Sequence, residues 1–152
     1  MTQAPLMDRI HITEDYDVPR VINGGWQLSA GHALERPLDL ADASRAFNRL
    51  IDMGFDTFDC ADIYTGVEDF FGGIIRDRRK AGLRLPQIHT KFVPDLNDLA
   101  NVTPAYVENI ITRSLRRLGV ERLDAVQFHW WDYSVPGMVD VAGELVRLQE
   151  KG

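Results

Sequence analysis

The chain has 152 residues, 45% of them hydrophobic, which is enough for one domain with a sizeable core. A net charge of −6, from 23 acidic against 17 basic residues, argues against nucleic acid or an anionic membrane as partner. The single cysteine, Cys60, excludes an intrachain disulfide. With no bilayer-length apolar run, and no basic region followed by an apolar core in Met1 to Met7, the expectation is a cytoplasmic location.

The first expected element is a small hairpin, in which Asp8 to His11 and Tyr16 to Pro19 flank the turn-prone Thr13-Glu14-Asp15. Arg20-Val21-Ile22-Asn23 reads as a strand and runs into Gly24-Gly25-Trp26, where two glycines permit a tight turn or a close backbone approach. Asp39 is placed to cap a helix from about Leu40 to Met53, with Ala43, Phe47, Leu50 and Ile51 on one stripe. A strand from Asp56 to Asp59 follows; alternation sends Thr57 and Asp59 to one face and Phe58 to the other. The second helix, about Val67 to Lys80, buries Phe70, Phe71, Ile74 and Ile75 and ends in Arg76, Arg78, Arg79 and Lys80, which suit the negative end of the helix dipole. Leu85 to Lys91 is strand-like. Thr103-Pro104 then opens a helix to Leu118 with a cap followed by proline at the first helical position. Leu123 to His129 is the next strand, Trp130, Trp131 and Pro136 fall in a loop, and a last helix runs from about Met138 to Gln149.

Strand and helix thus alternate four times, which implies a parallel sheet. The intervals from Asp59 to Lys91 and from Lys91 to His129 each fit one strand–helix unit of about 30 residues or more. Acid, lysine and histidine would therefore share the C-terminal edge of the sheet, where active sites sit in parallel α/β folds. Other chemistries lack their patterns: there is no G-x-G-x-x-G, no Y-x-x-x-K, no G-x-S-x-G and no metal-spaced histidine pair. Asp62, His11, His32 and Asp132 have no such support. His89 shares the parity of Lys91 and reads as packing, and Cys60 as incidental.

These features together resemble the N-terminal half of an aldo-keto reductase. The resemblance rests on Asn23-Gly24-Gly25-Trp26-Gln27 after strand one, Phe58-Asp59 with Tyr64 after strand two, and Thr90-Lys91 ending strand three. Gln127-Phe128-His129-Trp130 ends strand four, and Ser114 to Gly119 precedes it. It implies the first four βα units of a (β/α)8 TIM barrel, with the hairpin closing the barrel floor and strands five to eight absent. It also implies a catalytic tetrad of Asp59, Tyr64, Lys91 and His129, an NADPH/NADP cofactor whose nicotinamide end lies near Gly25, Trp26 and Asp59, and a substrate pocket with Trp26, His129 and Trp130 in its walls.

The chemistry supports that set. A phenol with an ordinary pKa of about 10 holds a proton at neutral pH. A nearby ammonium, here Lys91 held by Asp59, makes that proton easier to give, and an imidazole can donate to a carbonyl oxygen as charge develops there. The expected activity is reduction of an aldehyde, ketone or sugar carbonyl with Tyr64 as proton donor. Taken singly, each residue has a plainer reading: Asp59 a surface ion pair, Lys91 a solvated cation, His129 a core histidine, Tyr64 and the tryptophans packing. Two alternatives stand beside the reductase. One is a truncated, inactive half-barrel or interaction subunit that lacks the main cofactor-binding region and self-associates through open sheet edges. The other is a barrel enzyme using Lys91 for a Schiff base.

Overall fold

The computed structural model describes residues 7–30 and 38–152. His32 and most of the Met1–Met7 stretch lie outside these residues. The chain forms an antiparallel hairpin, β1 (Arg9–Thr13) and β2 (Tyr16–Pro19). Four βα units follow: β3 (Asn23–Gly24) with α1 (Leu40–Asp52), β4 (Thr57–Asp59) with α2 (Val67–Lys80), β5 (Gln87–Phe92) with α3 (Pro104–Leu118), and β6 (Ala125–Phe128) with α4 (Met138–Lys151). Strands β3-β4-β5-β6 lie in chain order in one parallel sheet. This is half of a TIM barrel, the class expected from the alternation of strand and helix.

Local chemistry sets the helix limits. The Asp39 carboxylate accepts from the backbone of Ala41 and Asp42 and starts α1. Thr103 Oγ1 accepts from Tyr106 N, Pro104 occupies the first turn of α3, and Gly119 closes it with φ of 66°. Strand limits depend on partners instead, and here the structure corrects the expectation. The first strand spans only Asn23–Gly24, because those residues alone pair with β4, opposite Phe58 and Asp59. Arg20 belongs to the hairpin: its N–H donates to Asp8 O at 3.0 Å.

The strands' two-residue period divides the molecule. Phe58, Ile88, Phe92 and Phe128 face the helices, where two clusters form. One gathers Ile51, Phe58, Phe71, Ile74, Ile75, Ile88 and Leu118, and in it Phe58 and Phe71 stack with centroids 5.2 Å apart. Pairs of this kind add roughly 0.5–1.5 kcal/mol beyond their buried area. The other gathers Phe92, Leu99, Val107, Ile110, Trp130 and Val141 beneath α3 and α4. The opposite face carries polar side chains, including Thr57, Asp59, Gln87, His89, Lys91 and Gln127.

The hairpin closes the N-terminal end of that polar face. Arg9 bridges Asp17 at 2.9 Å and the buried Asp56 at 2.8 Å, and Arg84 reaches Asp56 from the other side. Gln87 Nε2 donates to Asp17 O, and Thr57 Oγ1 donates to Gln87 Oε1. Tyr16 Oη lies 2.8 Å from His89 Nε2, so His89 has the packing role expected of it, with a hydrogen bond added. Burial holds the imidazole pKa below its usual value and pushes the Tyr16 phenol up.

Helices α2 and α3 cross closely at Gly72. A Cβ there would lie 2.1 Å from Arg117 O, a backbone atom, whereas one on the neighbouring Gly73 would meet nothing nearer than the Arg76 guanidinium at 3.7 Å. Gly72→Ala is expected to destabilise by about 1–3 kcal/mol through overpacking. Gly73→Ala is expected to be neutral, or stabilising by up to about 1 kcal/mol through helix propensity. The urea midpoints of the two variants check this contrast.

Candidate active site

At the C-terminal edge of the polar face, β4 ends on Asp59, and β5 presents Lys91 one register step higher, opposite Gln127 of β6. The Lys91 ammonium donates to Asp59 Oδ1 at 2.5 Å and to the Cys60 carbonyl at 2.8 Å. Gln127 Nε2 donates to the same Asp59 oxygen at 3.2 Å. The side chains of Lys91 and Asp59 are 18% and 31% exposed, so the pair sits on an accessible shelf rather than in the core. Lys91 spends two of its three N–H donors on these contacts, which leaves one for a ligand or the neighbouring phenol.

Tyr64 stands over this pair in the β4–α2 loop, with Lys91 Nζ 5.4 Å from its ring centroid. Its ring packs against the helix-side cluster, and its hydroxyl makes no hydrogen bond to a described residue. Burial, helped by the Asp59 carboxylate, raises the phenol pKa. Asp59 sits at hydrogen-bond distance from the ammonium and offsets its charge, so desolvation decides the direction. A phenol in this setting keeps its proton at neutral pH.

His129 follows β6 directly. Its backbone N–H donates to Phe92 O at 3.0 Å, and it continues the parity of Lys91 and Gln127 onto the same face. Its imidazole has no hydrogen-bond partner among the described residues and rests edge-to-face against Trp131, with centroids 4.4 Å apart. Gly25 supports the shelf from the β3 side. Its N–H donates to Asp59 O at 2.8 Å, and a Cβ there would press at 3.0 Å on Asp59 O, Val67 and Phe71. Trp26 opens the turn that follows and is 48% exposed.

Trp130 does not stand where it was expected. It is 5% exposed, packs on Phe128 inside the α3–α4 cluster, and donates from Nε1 to Val135 O. One residue beyond His129 reverses the strand parity, so its ring points to the helices and not to the shelf.

Two residues of the site lacked a signal that stood out. Gln127 shares the parity of Lys91 and, in register, lies beside it, which alternation alone could have indicated. Asp62 carries the loop between Asp59 and Tyr64. Its carboxylate accepts from Val93 N at 3.0 Å and from Arg113 at 2.9 Å, while Arg117 donates to its carbonyl. Arg117 also meets Glu68, whose other oxygen accepts from Thr90 Oγ1 at 2.7 Å. The phenol-bearing loop is thereby tied to β5 and α3 through buried charge.

The fold and this site define an α/β barrel-type arrangement with a lysine–carboxylate pair under a protonated phenol. The profile of the Aldo/keto reductase family matches residues 20–152, and the chain belongs to that family. The soybean (Glycine max) protein named "Probable aldo-keto reductase 1" is 31% identical over 163 residues, covering 100% of this chain and 44% of that protein. Among solved structures, aldo-keto reductase AKR11C1 from Bacillus halodurans, in its holo form, superposes with a TM-score of 0.74 at 22% identity, covering 96% of this chain and 47% of that one. Bombyx mori aldo-keto reductase AKR2E4 in complex with NADP gives 0.73 at 19%, covering 96% and 48%. The chain thus spans about half the length of the relatives it matches.

Burial outweighs the Arg113 and Val93 hydrogen bonds and pushes the Asp62 carboxyl up to about 6 from an ordinary 3.8. The folded form therefore binds the proton more tightly than the unfolded one. This group adds stability at low pH, and the contribution is lost as pH rises through about 6. Asp62→Asn is expected to flatten that part of the stability–pH curve, and urea unfolding of both proteins at several pH values either side of 6 measures it.

Proposed function

We propose that this chain is the N-terminal half of an aldo-keto reductase barrel and supplies the acid–base machinery for NADP-dependent reduction of an aldehyde, ketone or sugar carbonyl. One observation carries the reading. A phenol whose hydroxyl has no hydrogen-bond partner among the described residues stands beside a lysine whose ammonium is held by Asp59 and the Cys60 carbonyl. The hydride for the carbonyl carbon is what a reduced nicotinamide supplies when bound. The residues present fit its reactive end: Trp26 offers a half-exposed aromatic face, and the preceding Gly25 N–H donates to the Asp59 carbonyl at the end of β4. The NADP complex of the silkworm relative supports the same cofactor choice.

In this reading Tyr64 Oη donates its proton to the carbonyl oxygen as that oxygen becomes an alkoxide, so the product carries one added hydrogen on carbon and one on oxygen. The phenolate left behind is stabilised by the remaining Lys91 N–H, and Asp59 holds Lys91 in place. His129 donates a hydrogen bond to the developing oxyanion. Trp26 and His129 flank the substrate. A Schiff-base role for Lys91 is disfavoured, because an ammonium paired at 2.5 Å with a carboxylate is not a free-amine nucleophile. The second reading, a non-catalytic interaction subunit that pairs through a sheet edge, draws on the exposed Val126 and Gln127 of the edge strand β6.

In the full-length protein, Tyr64→Phe is expected to lower carbonyl-dependent NADPH oxidation by roughly 10²–10⁴-fold with NADPH binding retained. Retained turnover would refute the proton-donor role. If the wild-type protein neither quenches nicotinamide fluorescence nor oxidises NADPH, yet elutes as a folded oligomer, the second reading holds.

A further inference from the structure

His89 packs against the hairpin, yet its place in the sheet also sets it under the charged pair. On β5 the side chains of Gln87, His89 and Lys91 share the polar face, so the imidazole lies one step below the ammonium. Its register partner on β4 is Asp59, the carboxylate that holds Lys91. Its partner on β6 is the uncharged Ala125. The residue is 8% exposed, and from the hairpin side Tyr16 Oη lies 2.8 Å from its Nε2. Asp59 and Asp124 favour a charged imidazole here and Lys91 opposes it, while burial, the largest influence, holds the pKa below its usual value. Asp124 stands just before β6 and accepts from Ile88 N at 2.8 Å. Arg9 and Asp17 of the hairpin are paired with each other.

The contact with Tyr16 fixes the ring without fixing its charge. A phenol donates to a neutral imidazole and, by turning its hydroxyl, accepts from a protonated one. Burial pushes the Tyr16 pKa up, so that phenol keeps its own proton in both cases. A proton taken up by His89 therefore adds positive charge at a fixed place, beside Asp59 and beneath Lys91. There it attracts the carboxylate on which Lys91 depends and repels the ammonium.

We propose that His89 is a positioning residue of the reductase site and acts through Asp59. As a neutral imidazole it leaves the Asp59–Lys91 pair intact; as an imidazolium it competes with Lys91 for the carboxylate. This inference rests on the reductase reading. Turnover is then full while His89 is neutral and falls as pH drops through its pKa, on the acid side of the ordinary histidine range. The hairpin, through Tyr16, supports the chemistry as well as the floor.

The test follows kcat against pH for the wild type, His89→Gln and Asp62→Asn in the full-length protein, with benzaldehyde as carbonyl and NADPH as reductant. Wild-type kcat should fall at acid pH by on the order of tenfold to a hundredfold, the scale of a slightly misplaced catalytic group. Glutamine can still hydrogen-bond Tyr16 but carries no charge, so His89→Gln should lose this acidic limb relative to its own plateau. Asp62→Asn removes the other buried group that titrates nearby and should keep the limb. In parallel, the Lys91 Cε–H resonance is followed against pH. It should move together with the His89 ring protons in the wild type and lose that step in His89→Gln. The same spectra show whether each variant is folded.

A wild-type kcat that stays flat, or an acidic limb that persists in His89→Gln, would overturn the proposal. So would a Lys91 resonance indifferent to the titration of His89. A protein inactive toward every carbonyl would remove the reductase reading, and the Lys91 resonance would still decide whether His89 acts on the pair.

Discussion

A single ammonium organises this site. Lys91 Nζ is shared between the carboxylate that ends β4 and the carbonyl of the next residue, Cys60. That arrangement exists only because β4 and β5 are parallel and in a register that sets Asp59 opposite His89, one side-chain step below Lys91. A one-residue slip would turn every side chain on β5 to the other face, putting Lys91 among the phenylalanines and Phe92 on the polar shelf. The helix-side clusters oppose that slip, since it would expose Ile88 and Phe92 and bury a charge. The packing that stabilises the fold and the geometry that makes the site are one constraint.

Around the shelf, charge serves as fastening. At the N-terminal end, Asp56 is held between Arg9 and Arg84 and locks the hairpin to the sheet. At the C-terminal end, Asp62 and Glu68, each with a side chain 1% exposed, meet Arg113 and Arg117 of α3 and hold the loop that presents Tyr64. Ion pairs of this kind add little net stability, but removing one partner leaves a buried charge uncompensated. Their use here is positional: they keep the chain between Asp59 and Tyr64 from relaxing, so the phenol stays near the lysine.

Aromatic rings take complementary places. Phe58, Phe71 and Phe92 fill the space between sheet and helices, and Trp130 joins them beneath α4. Trp26 and Trp131 stay on the open side, one after β3 and one after β6. Trp131 donates to Pro94 O and rests against His129.

Much of this was legible in the chain itself. The helices were readable because their limits are set within a few residues, by Asp39, by Thr103-Pro104 and by Gly119. Asp59, Lys91 and His129 could be placed on one edge because a two-residue period and repeated βα spacing are properties of sequence. The length of β3 was not legible, since a strand lasts only as long as its neighbour's ladder, and here that ladder covers two residues. The assignment of Trp130 to the pocket followed resemblance and overlooked parity, which turned that ring inward and left Trp131 beside His129. The contacts of Asp59 with Gln127 and of Asp62 with Arg113 join residues 68 and 51 positions apart, and no local pattern announces such pairs. The upward direction of the Tyr64 pKa depends on how much water reaches the ring and on how the loop after β4 folds it back toward Asp59. The chain by itself determined which side chains share a face. Only folding decided which of them touch and how dry they are, because contact and burial are set by distances between strands and helices remote in sequence.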